Sequence, residues 1–315
     1  MLKRILISSI SIISMGFILE PAMAADSKVP GKLVAQSNSA SLSQTEATAN
    51  LENSPGSNSG INMSRIPISA ISKIEDKPKA FTMTLAAERG SDLIAESSAV
   101  DKTTTTFMLM PSLKLSENLS SFVRTYIERQ ENATGNTEVS DTQINLTLKG
   151  GKISEEIGTS YSLNGFAPTS QTNRKETRFQ GAGGLAVKAS GEFKLLSASY
   201  ALSYRRNVHE YTVSFENKEN IRDIIGQSVT VDIPLFQKVS ISSLFLYKNS
   251  WTYQNHYKQS FNFDVDLNYE AIKDLTFNVG TSNEGSALKA NGKDSNVQFY
   301  DNKSSVIRAG VTYVL

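Results

Sequence analysis

The chain contains no cysteine among its 315 residues, which excludes a disulfide framework and any thiolate metal site. Histidine is nearly as scarce. Only His209 and His256 are present, and two distant histidines are poor material for a metal centre. Basic and acidic residues balance, with 32 Lys and Arg against 31 Asp and Glu, so no basic excess indicates a nucleic-acid partner. The composition therefore predicts no metal, no cofactor and no nucleic acid.

Long apolar runs are also missing, except at the N-terminus. There Lys3 and Arg4 precede an apolar stretch from Ile5 to Leu19, and Ala22-Met23-Ala24 forms an A-x-A cleavage site. The stretch is short of the roughly 20 apolar residues that a spanning helix needs. The pattern therefore predicts a secretory signal peptide over residues 1–24, with cleavage after Ala24. No cysteine follows the site, so we do not expect a lipoprotein.

The segment that follows the signal peptide differs in composition from the rest of the chain. Residues 25–78 are rich in Ser, Asn, Ala and Thr, and 54–60 reads Ser-Pro-Gly-Ser-Asn-Ser-Gly. Such a stretch cannot bury enough apolar surface to offset the loss of chain entropy. We therefore expect a flexible linker, although the mildly apolar stretch 66–74 leaves open a short element that docks in the mouth of a barrel.

From residue 79 onward, apolar residues recur at every second position. In 144–148 and 261–269 they alternate without exception with Asn, Thr or Asp. A period of two is typical of a β-strand with one apolar face, and no comparable stripe with a period of 3.6 residues follows residue 80. The last part of the chain is therefore predicted to be all-β.

The connections between these segments alternate in length. Short turns are predicted near 116–118, 150–151, 190–191, 234–237 and 270–274, and polar loops near 89–101, 131–140, 164–177, 206–225, 250–258 and 284–302. Short periplasmic turns and long external loops are typical of a transmembrane barrel. The sequence thus predicts a transmembrane antiparallel up-and-down β-barrel of about 12 strands (10–14 possible) over residues 79–315, preceded by a disordered N-terminal leader.

The final segment carries a second signal. One face of the last predicted strand presents Ile307, Ala309, Val311, Tyr313 and Leu315. This face resembles the C-terminal insertion signal of bacterial outer-membrane β-barrel proteins, although those proteins usually end in an aromatic residue. The resemblance implies residence in the outer membrane of a Gram-negative bacterium, with the barrel-assembly machinery, outer-membrane lipid and lipopolysaccharide as partners. It reaches no single functional family and leaves the oligomeric state open.

If the apolar face of each strand contacts lipid, the other face points into the lumen. Its charged residues are mainly basic in the first half of the barrel and acidic between 226 and 270. This predicts a basic wall opposite an acidic wall, in a narrow porin-like channel for small polar solutes. An ion-paired, plugged interior is the alternative. The predicted lumen-lining residues are Lys114, Arg124, Glu128, Lys149, Glu156, Lys188, Arg205, Asp232, Asp264, Asp266 and Arg308.

Two other functions remain open from the sequence. A secreted soluble β-sandwich would show the same alternation of apolar and polar residues. A barrel without a channel could carry an adhesive surface or a lipid-active hydrolase at its rim, where His209 and His256 are predicted to lie. Neither histidine belongs to a hydrolase motif, although Ser214 and Ser260 follow them at short range. We therefore predict no catalytic residue.

Overall fold

The computed structural model describes residues 80–92, 103–131, 136–289, 292–301 and 305–315. These residues form one antiparallel sheet in which nearly all strands adjacent in sequence are paired. No helix within these ranges is long and apolar enough to cross a membrane. The predicted signal peptide at 1–24 and linker at 25–78 lie outside the described residues.

The strands are long and are joined mainly by short connections. One helical turn, Asn173–Thr177, lies between β6 and β7. In chain order the strands are β1 (Phe81–Asp92), β2 (Thr104–Lys114), β3 (Leu119–Gln130), β4 (Thr137–Val139), β5 (Thr142–Lys152), β6 (Ile157–Ala167), β7 (Phe179–Phe193), β8 (Leu196–His209), β9 (Ile221–Phe236), β10 (Val239–Thr252), β11 (Tyr257–Ile272), β12 (Leu275–Ser286) and β13 (Ser305–Val314).

Two of these strands occupy one position in the sheet. The short β4 pairs with the C-terminal end of β3, and β5 pairs with the rest of the same edge of β3. Between them, the hydroxyl of Ser140 accepts the backbone N–H of Tyr126 at 3.0 Å and replaces a bond of the sheet. The barrel therefore has 12 strand positions, and the predicted strand number is confirmed.

The sheet closes through its first and last strands. β1 and β13 are antiparallel over nine residue pairs, from Thr84 opposite Val314 to Asp92 opposite Val306. Met83 and Leu315 then exchange two backbone hydrogen bonds of 3.2 and 2.9 Å. Every position in the ring thus has two neighbours, and the described strands leave no unpaired edge to be desolvated in a membrane. A single closed sheet also excludes the β-sandwich.

Burial in this barrel is inverted relative to a water-soluble protein. Outer-face residues such as Leu163 and Val279 are exposed by 56% and 57%, whereas inner-face Thr312 is only 2% exposed. Successive side chains of a strand point to opposite faces, so in most strands exposed apolar residues alternate with buried residues, many of which are polar. Four residues of the predicted insertion signal lie on the outer face of β13, with Leu315 directly after it: Ile307, Ala309, Val311 and Tyr313.

Several predicted turns were placed wrongly. β5 continues through Gly150-Gly151 to Lys152, and β7 continues through Ser190-Gly191 to Phe193, so the turns lie at 153–156 and 194–195. Gly150 serves close packing instead, because a Cβ there would lie 2.3 Å from Oγ1 of Thr159 on β6. The predicted turns at 234–237 and 270–274 shrink to 237–238 and 273–274, and the loop at 250–258 shrinks to 253–256.

Candidate functional site

The structure places most of the predicted lumen residues on the inner faces of strands. Five are buried: Arg124, Arg205, Asp264, Asp266 and Arg308. Four are half-buried: Lys114, Glu128, Lys188 and Asp232. Lys149 lies on the inner face of β5 but is exposed near the turn, and Glu156 is exposed in the turn at 153–156, outside the strands. The buried residues define the candidate site, and Glu156 does not belong to it.

Three carboxylates and one guanidinium form a buried cluster on β1, β11 and β13. Nε and Nη2 of Arg308 donate to Oδ1 and Oδ2 of Asp266 at 3.1 and 2.7 Å, which is a bidentate ion pair. Nη1 of Arg308 lies 3.2 Å from Oδ1 of Asp264, and Nε lies 3.9 Å from Oε2 of Glu88. We call these four residues the acidic cluster. Glu88 was not among the predicted lumen residues.

A glycine on β12 allows this cluster to form. Gly280 pairs with Asp266 on one side and with Arg308 on the other, so β12 separates the two charged residues. A Cβ at Gly280 would lie 2.0 Å from Oδ1 of Asp266 and 2.3 Å from the carbonyl oxygen of Val265. Contacts below 3.0 Å are essentially never seen for a Cβ. Any side chain at position 280 would therefore displace Asp266 from Arg308.

Arg205 on β8 is arranged in a similar way. Its guanidinium carbon lies 3.9 Å from the ring centre of Phe166 on β6 and 5.7 Å from that of Phe179, and its Nε donates to Oδ1 of Asn207 at 2.7 Å. Gly184 on the intervening β7 allows close packing against β8, since a Cβ there would lie 2.5 Å from the carbonyl oxygen of Tyr204 and 3.3 Å from the Cα of Arg205. Arginine over an aromatic face is a favourable cation–π contact.

Arg124 on β3 begins a hydrogen-bonded chain of amides that reaches β6. Its Nη2 donates to Oε1 of Gln143. Nε2 of Gln143 and Nδ2 of Asn145 both donate to Oδ1 of Asn164, at 2.9 and 2.7 Å. The Arg124 guanidinium also lies 5.8 and 5.4 Å from the centres of two aromatic rings on its own strand. We call Arg124 and Arg205 the basic wall.

The acidic cluster lies on β11, β13 and β1, and the two arginines of the basic wall lie two to six strand positions away from these strands. β8, which carries Arg205, is six strand positions from β1, which carries Glu88, in either direction around the ring. Arg124 on β3 is five positions from β11 by the shorter path. Arg308 is the exception to the predicted arrangement, because it lies among the acids and neutralises part of their charge. Lys188 and Asp232 also interact electrostatically with each other.

The connection at 168–178 packs against the break between β4 and β5. The hydroxyl of Ser170 donates to Oε1 of Glu138 at 2.6 Å, and Nδ2 of Asn173 donates to Oδ2 of Asp141 at 2.6 Å. Ser170, Asn173 and Thr177 are buried, and Nδ2 of Asn220 donates to the carbonyl oxygen of Thr177 at 3.0 Å. These hydrogen bonds hold the loop against the break between β4 and β5.

Solved structures show the same architecture. The COG4313 outer membrane channel from Pseudomonas putida F1 is 12% identical to this chain, with a TM-score of 0.56, covering 78% of this chain and 98% of the channel. The NanC porin is 13% identical, with a TM-score of 0.50, covering 73% of this chain and 98% of the porin. No protein-family model and no curated protein sequence matches. The chain has the fold of outer-membrane channels.

The inner face of this porin-like barrel is not polar throughout. The sequence-based prediction assigns apolar residues to the outer face alone. Ala86, Met108, Met110 and Tyr126 form a buried apolar cluster on β1, β2 and β3. On β10, Leu244 and Leu246 also lie on the inner face, and both are buried. The inner face therefore has apolar sections next to the charged ones.

Both histidines make contacts that account for their positions at the rim. His209 ends β8, where its ring lies 5.4 Å from the Phe179 ring and 5.8 Å from the Tyr253 ring. Nδ1 of His256 lies 2.7 Å from the carboxylate of Glu219. This contact links the β8–β9 loop to the β10–β11 loop. That hydrogen bond lowers the pKa of Glu219. Among the described residues, no group of three or more His, Asp or Glu side chains is arranged to hold a metal ion.

Proposed function

We propose that the chain forms a narrow channel in the bacterial outer membrane that passes small polar solutes between opposed acidic and basic walls. The proposal is supported by a closed ring of strands whose inner face carries the acidic cluster on β11, β13 and β1 and Arg205 on β8, three to six strand positions away. Opposed charges across a narrow aqueous path orient dipolar solutes without excluding ions of either sign. The description of two structural neighbours as a channel and a porin adds support.

The proposal also assigns partners. The exposed apolar outer face contacts outer-membrane lipid, and the ends of the barrel contact lipopolysaccharide head groups. The barrel-assembly machinery inserts the chain, for which the outer face of β13 supplies the recognised surface. Residence in this membrane requires export, in agreement with the signal peptide predicted at residues 1–24.

Planar-bilayer recording of the refolded protein tests the channel. We expect discrete ohmic current steps and, across a salt gradient, a small reversal potential. Replacing Asp264 and Asp266 together by Asn removes two lumen acids and leaves Glu88 as the one acid of the cluster beside Arg308. The reversal potential should therefore shift toward the value of an anion-selective channel.

A matched control also removes two carboxylates, but from an exposed turn instead of the inner face of the barrel. Glu155 and Glu156 are both exposed in the turn at 153–156, so their joint replacement by Gln should leave the reversal potential unchanged. A folded wild-type protein that carries no current would overturn the channel. A conducting protein whose reversal potential does not respond to the Asp264 and Asp266 changes would overturn the role of the acidic cluster.

A further inference from the structure

The acidic cluster holds more negative charge than its own cation neutralises. With all groups ionised, the three carboxylates of Glu88, Asp264 and Asp266 lie within ion-pair distance of the one guanidinium of the cluster, that of Arg308. Glu284 on β12 also acts electrostatically on Asp264. Buried charge without a partner is strongly unfavourable. A further cation at this place would therefore stabilise the cluster.

Asp264 is the member with unused capacity to accept hydrogen bonds. Its side chain is 4% exposed, and neither carboxylate oxygen receives a hydrogen bond from the described residues. The Nη1 atom of Arg308 is within ion-pair distance at 3.2 Å but does not donate a hydrogen bond to it. Asp266, in contrast, accepts two hydrogen bonds from the same arginine. The open acceptors of the cluster are thus on Asp264.

The geometry favours an organic cation over a metal ion. A divalent metal would require several oxygen ligands converging on one point, and no such group occurs among the described residues. Arg308 itself shows that a planar guanidinium with several N–H donors fits beside two of these carboxylates. An ammonium or guanidinium group brings both the charge and the donors that Asp264 lacks.

We propose that the acidic cluster is a binding subsite for the ammonium or guanidinium group of a solute in transit, with Asp264 as the direct acceptor. This inference rests on the proposed channel and names its substrate class, which is small amine-bearing solutes. Arg205 of the basic wall, on β8 three strand positions from Asp264, would then face the other end of the solute.

The test uses 1,5-diaminopentane as the probe in single-channel recordings. We expect the diamine to interrupt the wild-type current, whereas the uncharged 1,5-pentanediol should not. Asp264→Asn removes the acceptor's charge and should shorten the residence time of the diamine by about tenfold or more, which corresponds to about 1.4 kcal/mol or more. Glu156→Gln, in the exposed turn, should leave the residence time unchanged.

The outcomes separate the subsite from the channel. A conducting wild type without interruptions, or an unchanged residence time in folded Asp264→Asn, would overturn the subsite and leave the channel standing. If the wild type carries no current, calorimetric titration of the diamine into the folded barrel in detergent decides the matter. Binding that is lost in Asp264→Asn would support the subsite although the channel fails, and absence of binding to the wild type would overturn it.

Discussion

Replacing Gly280 by Ala should destabilise the barrel through a single added methyl group. The new Cβ would lie 2.0 Å from Oδ1 of Asp266, so the carboxylate must move by about an ångström or more. With an effective dielectric constant near 20, lengthening an ion pair from about 3 to about 4 Å weakens it by about 1.4 kcal/mol. Overpacking against the backbone carbonyl of Val265 adds roughly 1–3 kcal/mol. We expect the free energy of unfolding to fall by about 2–4 kcal/mol in total.

The measurement is the free energy of unfolding in detergent micelles or lipid bilayers, from a denaturant titration. Gly285→Ala on the same strand is the control. Its Cβ would meet only an atom of Phe261, at the ordinary contact distance of 3.8 Å, so its stability should match that of the wild type. Equal stability of the two variants would show that the inner face at Gly280 has room for a side chain, and the account of the ion pair would fail.

Two further predictions concern the closing strand and the rim. Tyr313→Asp places a charge on the outer face of β13 and should prevent accumulation of folded barrel in the outer membrane, measured by heat-modifiable mobility on gels; wild-type levels would contradict the importance of this face. Because the pKa of Glu219 is held below its ordinary value of 4.5, the His256 contact stabilises the loops above that value and is lost as pH falls through the lowered pKa. Hydrogen-exchange protection at His256 should therefore drop on acidification in the wild type but not in Glu219→Gln.

The fold could be predicted because one physical requirement acts on every strand. Lipid on one side and a polar interior on the other enforce a period of two, which is visible in β11 from Phe261 to Tyr269. Where the interior is apolar, the pattern fades. On β10, Leu244 and Leu246 point inward between the outward residues Phe245 and Tyr247, so both faces are apolar and the alternation is lost.

The site was predictable only in part. Strand parity is enough to assign Asp264, Asp266 and Arg308 to the inner face. Glu88 was missed because a loop was predicted from residue 89, whereas β1 continues to Asp92. The pairing of Asp266 with Arg308 depends on the register of three strands and on Gly280 between them. Register over such sequence separations is set by long-range packing and cannot be read from local pattern.

The seam between β1 and β13 has a kinetic consequence. It joins residues at nearly the greatest separation that the barrel allows, from Thr84 to Val314. Bringing together the ends of a loop of roughly 230 residues costs about 5 kcal/mol of chain entropy, before any ladder bond compensates for it. Until then two long strands present open hydrogen-bonding edges to other chains. The time between synthesis of the last residue and closure is therefore the period in which this protein is most exposed to aggregation.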